Sequence, residues 1–152
     1  MGKVLELTVD KALNAYKKGS ENDRTLLENL YGKDVFSMKI TDRVQSFEDA
    51  CTVLGLDPDA FEDTGLADDT VAYEKLKVIA KALNEGWTPD WDNSNEYKYY
   101  PYFKMCGGFS FFRVGSYYTL TCVGSRLCFR SRELAEHAAK IGFDLYKQLY
   151  TI

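Results

Sequence analysis

The spacing of apolar and polar positions divides the chain into a helical first half, an extended stretch and a last helix. Val9, Ala12, Leu13 and Tyr16 recur at helical intervals behind Thr8, a good N-cap, and predict a helix over 9–18 that Gly19-Ser20 stops. Leu26, Leu27 and Leu30 predict a second short helix, opened by Asn22 or Asp23 and ended at Gly32. Residues 35–40 alternate loosely and read as extended. Ser46-Phe-Glu-Asp49 has the form of a capping box with Asp in place of Glu, which predicts a helix over 47–54 terminated by Gly55. Asp57-Pro58 then caps a brief helical piece over 58–62. The clearest periodicity lies over 69–85, where Ala72, Leu76, Ile79 and Leu83 form one stripe and Asp68 and Asp69 suit the positive end of the helix dipole.

After Gly86 the pattern changes. Pro89 lacks a backbone donor and restricts its predecessor, so Trp87-Thr-Pro-Asp-Trp91 cannot continue the helix. Asp92-Asn-Ser-Asn95 is a run of turn formers. Residues 97–104, 109–114, 117–123 and 126–130 favour strands and are separated by Gly107-Gly108, Gly115-Ser116 and Gly124-Ser125. They predict an antiparallel meander of three or four strands, with Pro101 marking an edge or a bulge. Ser131 caps a last helix running to about Leu149, whose stripe is Leu134, Ala138, Ile141 and Leu145. The order predicts an α+β fold: N-terminal helices, a small antiparallel meander sheet and a C-terminal helix packed on it. One domain over 1–152 is expected, with a mainly helical part over 1–86, a sheet part over 87–130 and the C-terminal helix over 131–152.

Composition narrows the class of protein. The chain has 152 residues, 45% hydrophobic and 28% charged, which excludes disorder, and no apolar run approaches the roughly 18–20 residues of a membrane span. The start has no long apolar stretch of the kind a signal peptide carries, so a cytoplasmic location is expected. Net charge is −4, yet residues 1–96 carry a balance of −9 and residues 97–152 one of +5. That split is compatible with a basic binding surface, although two halves that attract each other, or are each simply solvated, are the favoured reading. Overall acidity disfavours duplex DNA, whose binding depends on phosphate neutralisation.

Three segments carry a resemblance: Leu83-Asn-Glu-Gly-Trp87-Thr-Pro-Asp-Trp91, Tyr97-Lys-Tyr-Tyr-Pro-Tyr-Phe103 and Gly124-Ser-Arg-Leu-Cys-Phe-Arg-Ser-Arg-Glu-Leu-Ala135. Together they resemble a family of small proteins of uncharacterised function from Bacteroides-type gut bacteria and their prophages and mobile elements. The likeness covers roughly residues 70–150 and, less specifically, residues 5–16 and 41–56; Arg130 stands where the family often has Lys. It implies a bacterial or phage setting and a cytoplasmic location, and implies no activity.

The candidate chemistry is that of a binding surface. Trp87 and Trp91 read either as a docking surface or as a turn packed on the sheet, and the turn is favoured. Asp90, Asp92, Asn93, Asn95 and Glu96 read as oxygen ligands for a hard cation or, more simply, as turn residues; they do not follow an EF-hand pattern. Cys51, Cys106, Cys122 and Cys128 form no C-x-x-C pair and, with His137 the one histidine, no zinc pattern; Cys122 and Cys128 read as small apolar strand residues. No phosphate-loop or dinucleotide fingerprint is present, so neither a cofactor nor a metal is expected. Lys98, Tyr100, Tyr102 and Lys104 share one face of a straight strand. With Arg113, Arg126 and Arg130 from later strands they outline an aromatic-basic surface of the kind that stacks single-stranded nucleic acid, although a two-sided sheet whose second aromatic face is covered by the N-terminal helices is the favoured reading. The expectation is a non-catalytic accessory binding protein with a protein partner. Single-stranded nucleic acid is the alternative, and an enzyme with an unrecognised site comes third.

Overall fold

The structure, a computed structural model, describes residues 8–151. Residues 1–7, which include the beginning of the 5–16 similarity, and Ile152 lie outside it. The chain divides into two compact units, residues 1–42 and 43–152. This division does not follow the parts expected from the pattern, whose first boundary falls at 86.

In the first unit Thr8 caps α1 (Val9–Lys18) by accepting the Lys11 amide at 3.5 Å. Helix α2 (Glu21–Tyr31) starts earlier than its pattern suggests. Ser20 and Asp23 form a reciprocal box in which Ser20 Oγ accepts the Asp23 amide and the Ser20 amide donates to Asp23 Oδ2 at 2.9 Å. The Ser20 hydroxyl, donating to Asp23 Oδ2 at 2.7 Å, and then the Ser20 amide hold the Asp23 carboxyl below its ordinary range. Residues 35–40 are not extended: α3 (Lys33–Ser37) is helical, and α4 (Ile40–Arg43) follows two residues later. Phe36 stacks on Tyr16 at 4.3 Å between ring centroids, a contact that favours the helical turn over a strand. The Tyr16 hydroxyl donates to Glu28 Oε1 at 2.6 Å and ties α1 to α2.

The second unit is built around one helix. Ser46 caps α5 (Phe47–Leu54), Gly55 ends it, and a 3₁₀ turn (Pro58–Phe61) leads to α6 (Asp68–Asn84). The predicted stripe Ala72, Leu76, Ile79 and Leu83 is buried, and so are Val78, Ala80, Ala82 and Asn84, because α6 is covered by α5 and by the C-terminal helices. Strands β1 (Lys98–Lys104) and β2 (Ser110–Tyr117) form an antiparallel hairpin that pairs Lys98 with Tyr117, Tyr100 with Gly115 and Tyr102 with Arg113. A bulge follows Tyr102: Phe103 faces Phe111, leaving Phe112 as the extra residue. The fold is α+β, but the meander reduces to these two strands. Residues 117–123 do not form the third strand, and 126–130 contributes one bridge, in which Tyr99 and Phe129 exchange backbone bonds of 2.9 and 2.7 Å. Thr121 Oγ1 explains the lost strand in part, since it accepts the Val123 and Gly124 amides and curls that segment into a turn.

The last helix is broken in two. Ser131 caps α7 (Arg132–Ile141), and α8 (Phe143–Tyr150) begins after Gly142. A Cβ on Gly142 would stand 2.9 Å from the Ala138 carbonyl and 3.0 Å from Leu76 Cδ2, so the bare backbone lets the joint press on α6. The break changes which residues face inward. Tyr146 is fully buried with Leu76 and Leu127, while Leu145 and Leu149 of the predicted stripe lie half-buried around them. Helix α7 lies against the hairpin; from α8, Tyr146 and Tyr150 reach Phe103 at 4.8 and 6.1 Å between centroids.

Candidate functional site

Helix α6 ends in a sharp turn that sets the stage for the site. Glu85 adopts a left-handed conformation with φ of 48°, and the Trp87 amide returns to the Asn84 carbonyl at 2.9 Å. Buried Asn84 pins a distant segment there. Its Nδ2 donates to the Cys128 carbonyl at 2.9 Å and its Oδ1 accepts the Arg130 amide at 3.1 Å. Arg130 itself pairs with Glu85 at 2.7 Å.

The oxygen-rich run after this turn does hold a cation, and the cation is Lys98. Its side chain is 1% exposed. The ammonium donates to the carbonyls of Asp90, Asn93 and Glu96, lies 3.2 Å from Glu96 Oε1 and sits 5.4 Å from the Trp91 ring centroid. Glu96 Oε1 also accepts the Asp90 amide at 2.8 Å, and chiefly this bond holds the carboxyl below its usual range. Asp90 and Asn93 form side-chain turns onto the amides of Asp92 and Asn95. Trp91 Nε1 donates to Ser125 Oγ at 2.7 Å. Lys98 is therefore not a surface cation: the local loop turns it inward.

The aromatic-basic row is split in the same way. Tyr100 is buried, with its hydroxyl 3.2 Å from that of Tyr102 and its ring stacked on Tyr117 at 5.3 Å. Burial pushes the Tyr100 phenol well up, while hydrogen bonds from Tyr102 and Tyr100 lower that of Tyr117. Gly115 makes room for these rings, because a Cβ there would lie 2.5 Å from Tyr102 Cε2. Tyr102 is half-buried, Lys104 and Arg113 are exposed, and the Arg113 guanidinium lies 5.7 Å from the Tyr102 ring centroid. Tyr100 and Tyr102 also line a cavity of about 340 Å³ with Phe103, Met105, Cys122 and Tyr150. Cys122 is exposed, contrary to the strand reading, because its segment is a loop; Cys128 is buried, and burial pushes its thiol up to about 11. His137 Nε2 lies 2.6 Å from the Val44 carbonyl. Among the described residues no group of three or more His, Cys, Asp or Glu stands close enough to hold a metal ion.

Trp87 and Arg126 come together elsewhere. They line a groove of about 660 Å³ with Leu54 and Leu56 from the end of α5, Phe61 of the 3₁₀ turn, and Thr88, Pro89 and Ser125. Helix α6 contributes Glu74, Lys77, Val78, Lys81 and Asn84, the first four on one helical face. Lys77 pairs with Glu74 at 2.6 Å; Lys81 and Arg126 are exposed and form no ion pair among the described residues. Of the surface expected from sequence, the groove thus gathers Trp87 and Arg126, while Trp91, Lys98, Tyr100 and Arg130 are engaged in internal contacts. Lys77, Lys81, Leu56 and Phe61 did not stand out in the sequence. The signal available was Val78, an apolar residue outside the core stripe of α6, with Lys77 before it and Lys81 one turn on. Comparison with protein-family models, curated proteins and solved structures returns no match to this chain.

Proposed function

We propose that this protein is a non-catalytic binding protein whose partner is another protein, taken up in the groove beside α6. The observation that carries this reading is the groove itself. Its volume of about 660 Å³ falls within the roughly 300–1,000 Å³ of ligand sites, and its lining mixes apolar Leu54, Leu56, Phe61 and Val78 with charged side chains. Half-buried Trp87 is the kind of side chain on which binding energy concentrates. The resemblance supports a setting in the bacterial cytoplasm as an accessory protein of a prophage or mobile element.

Peptide display against the immobilised protein tests the reading, with Trp87→Ala and Leu56→Ser as counter-targets. Selected sequences should bind the parent and lose at least about tenfold in affinity on either variant, the effect of one well-buried anchor. Selected peptides that bind all three proteins equally would place the site elsewhere and remove the groove reading.

A further inference from the structure

Resting on that reading, we infer that the segment received by the groove is acidic around an apolar anchor. The argument is the distribution of charge. Four ionisable side chains line the groove: Glu74, Lys77, Lys81 and Arg126. Glu74 and Lys77 neutralise one another at 2.6 Å. What remains is Lys81 on the helix and Arg126 on the loop after Ser125, both exposed and without an ion-pair partner among the described residues. They come from elements far apart in sequence, and the fold brings both to the lining of one cavity.

This local surplus of positive charge belongs to a chain whose net charge is −4. The protein as a whole is acidic, so the two cations at the groove give it a local preference for negative charge that most of the surface lacks. A basic segment would meet two uncompensated cations beside apolar side chains and be rejected. An acidic residue on each side of an anchor seated on Trp87 and Val78 would satisfy Lys81 and Arg126. Arg126 in particular offers the planar fork that engages a carboxylate with two bonds.

The experiment uses three fluorescein-labelled peptide pools with the same central Trp or Leu anchor. One is flanked by Asp and Glu, one by Lys and Arg, and one by Ser and Asn. Each is titrated by anisotropy into the full chain at low and raised salt. The acidic pool should bind at least about tenfold more tightly than the neutral one, corresponding to about 1.4 kcal/mol, and should lose that advantage as salt rises. Lys81→Glu/Arg126→Glu should erase the advantage and favour the basic pool. Both positions are exposed, and an unchanged melting temperature would confirm that the double variant folds. Equal binding of acidic and neutral pools, abolished by Trp87→Ala, would overturn the acidic preference and leave the groove reading standing. An acidic preference untouched by Lys81→Glu/Arg126→Glu would overturn it by placing the charge recognition elsewhere. No binding by any pool would sink the groove reading and this inference together.

Discussion

Lys98 shows how a single residue changes meaning between sequence and structure. In a straight strand it alternates with aromatic residues and reads as a phosphate contact. In the fold its ammonium closes the loop between α6 and β1 through three carbonyls and the Glu96 carboxylate. An ammonium has three donors and no acceptor, so this environment saturates it. Lys98→Met keeps the aliphatic stem and orphans the oxygens. Removal of a buried charge from its partners costs about 3–5 kcal/mol, and the upper part of that range is reduced here because Glu96 keeps 27% of its side chain exposed. A urea unfolding midpoint lowered by that order is expected for Lys98→Met, whereas Lys104→Ala, on the exposed end of the hairpin, should change stability by no more than about 0.5 kcal/mol. Equal midpoints for the two variants would show that the loop does not depend on the ammonium.

Helix α6 and the broken pair α7–α8 carry the energetics of the second unit. Leu76 is 1% exposed and contacts the core that includes Tyr146, whose phenol burial has pushed up strongly. Ile141 is only half-buried, because the chain changes direction at Gly142. Leu76→Ala and Ile79→Ala should each cost about 2–5 kcal/mol by transfer and cavity terms. Ile141→Ala, which a continuous helix would place in the same class, should cost distinctly less. Chemical denaturation of the three variants reads this directly, and an Ile141→Ala loss as large as that of Leu76→Ala would argue for an unbroken stripe. The break belongs to the element scale because its cause is a close approach: a side chain at 142 would meet the Ala138 carbonyl and Leu76.

At the scale of the whole molecule, the arrangement of aromatic and basic groups weakens the nucleic-acid alternative. Tyr102, Lys104 and Arg113 stay accessible, but Lys98 and Tyr100 are buried and Arg130 is paired with Glu85. Stacking contributes about 1–3 kcal/mol per base and phosphate contacts add a salt-dependent term, so a row with half its members withdrawn offers little of either. Anisotropy with labelled oligo-dT and oligo-U at low salt should show at most weak binding, and duplex none. Micromolar binding to oligo-dT that Tyr102→Ala and Arg113→Ala abolish would restore the sheet as a nucleic-acid surface.

What could be read without the fold is what is decided within a few residues. Thr8, Ser46 and Ser131 cap their helices because an N-cap hydroxyl meets an amide three positions on, and Gly55 ends α5 in the left-handed region for the same local reason. The core stripe of α6 follows from one period, and the α+β order follows from the succession of such elements. Pairing and facing were decided elsewhere. Residues 126–130 have the composition of a strand, yet only Phe129 meets Tyr99, because Asn84 holds the neighbouring backbone to the end of α6. Trp87 comes to line one groove with Arg126 and Lys81 only after α5, α6 and two loops have converged. Contacts between residues so far apart depend on which surfaces the packed elements leave open, a choice made by the tertiary structure and absent from any local pattern.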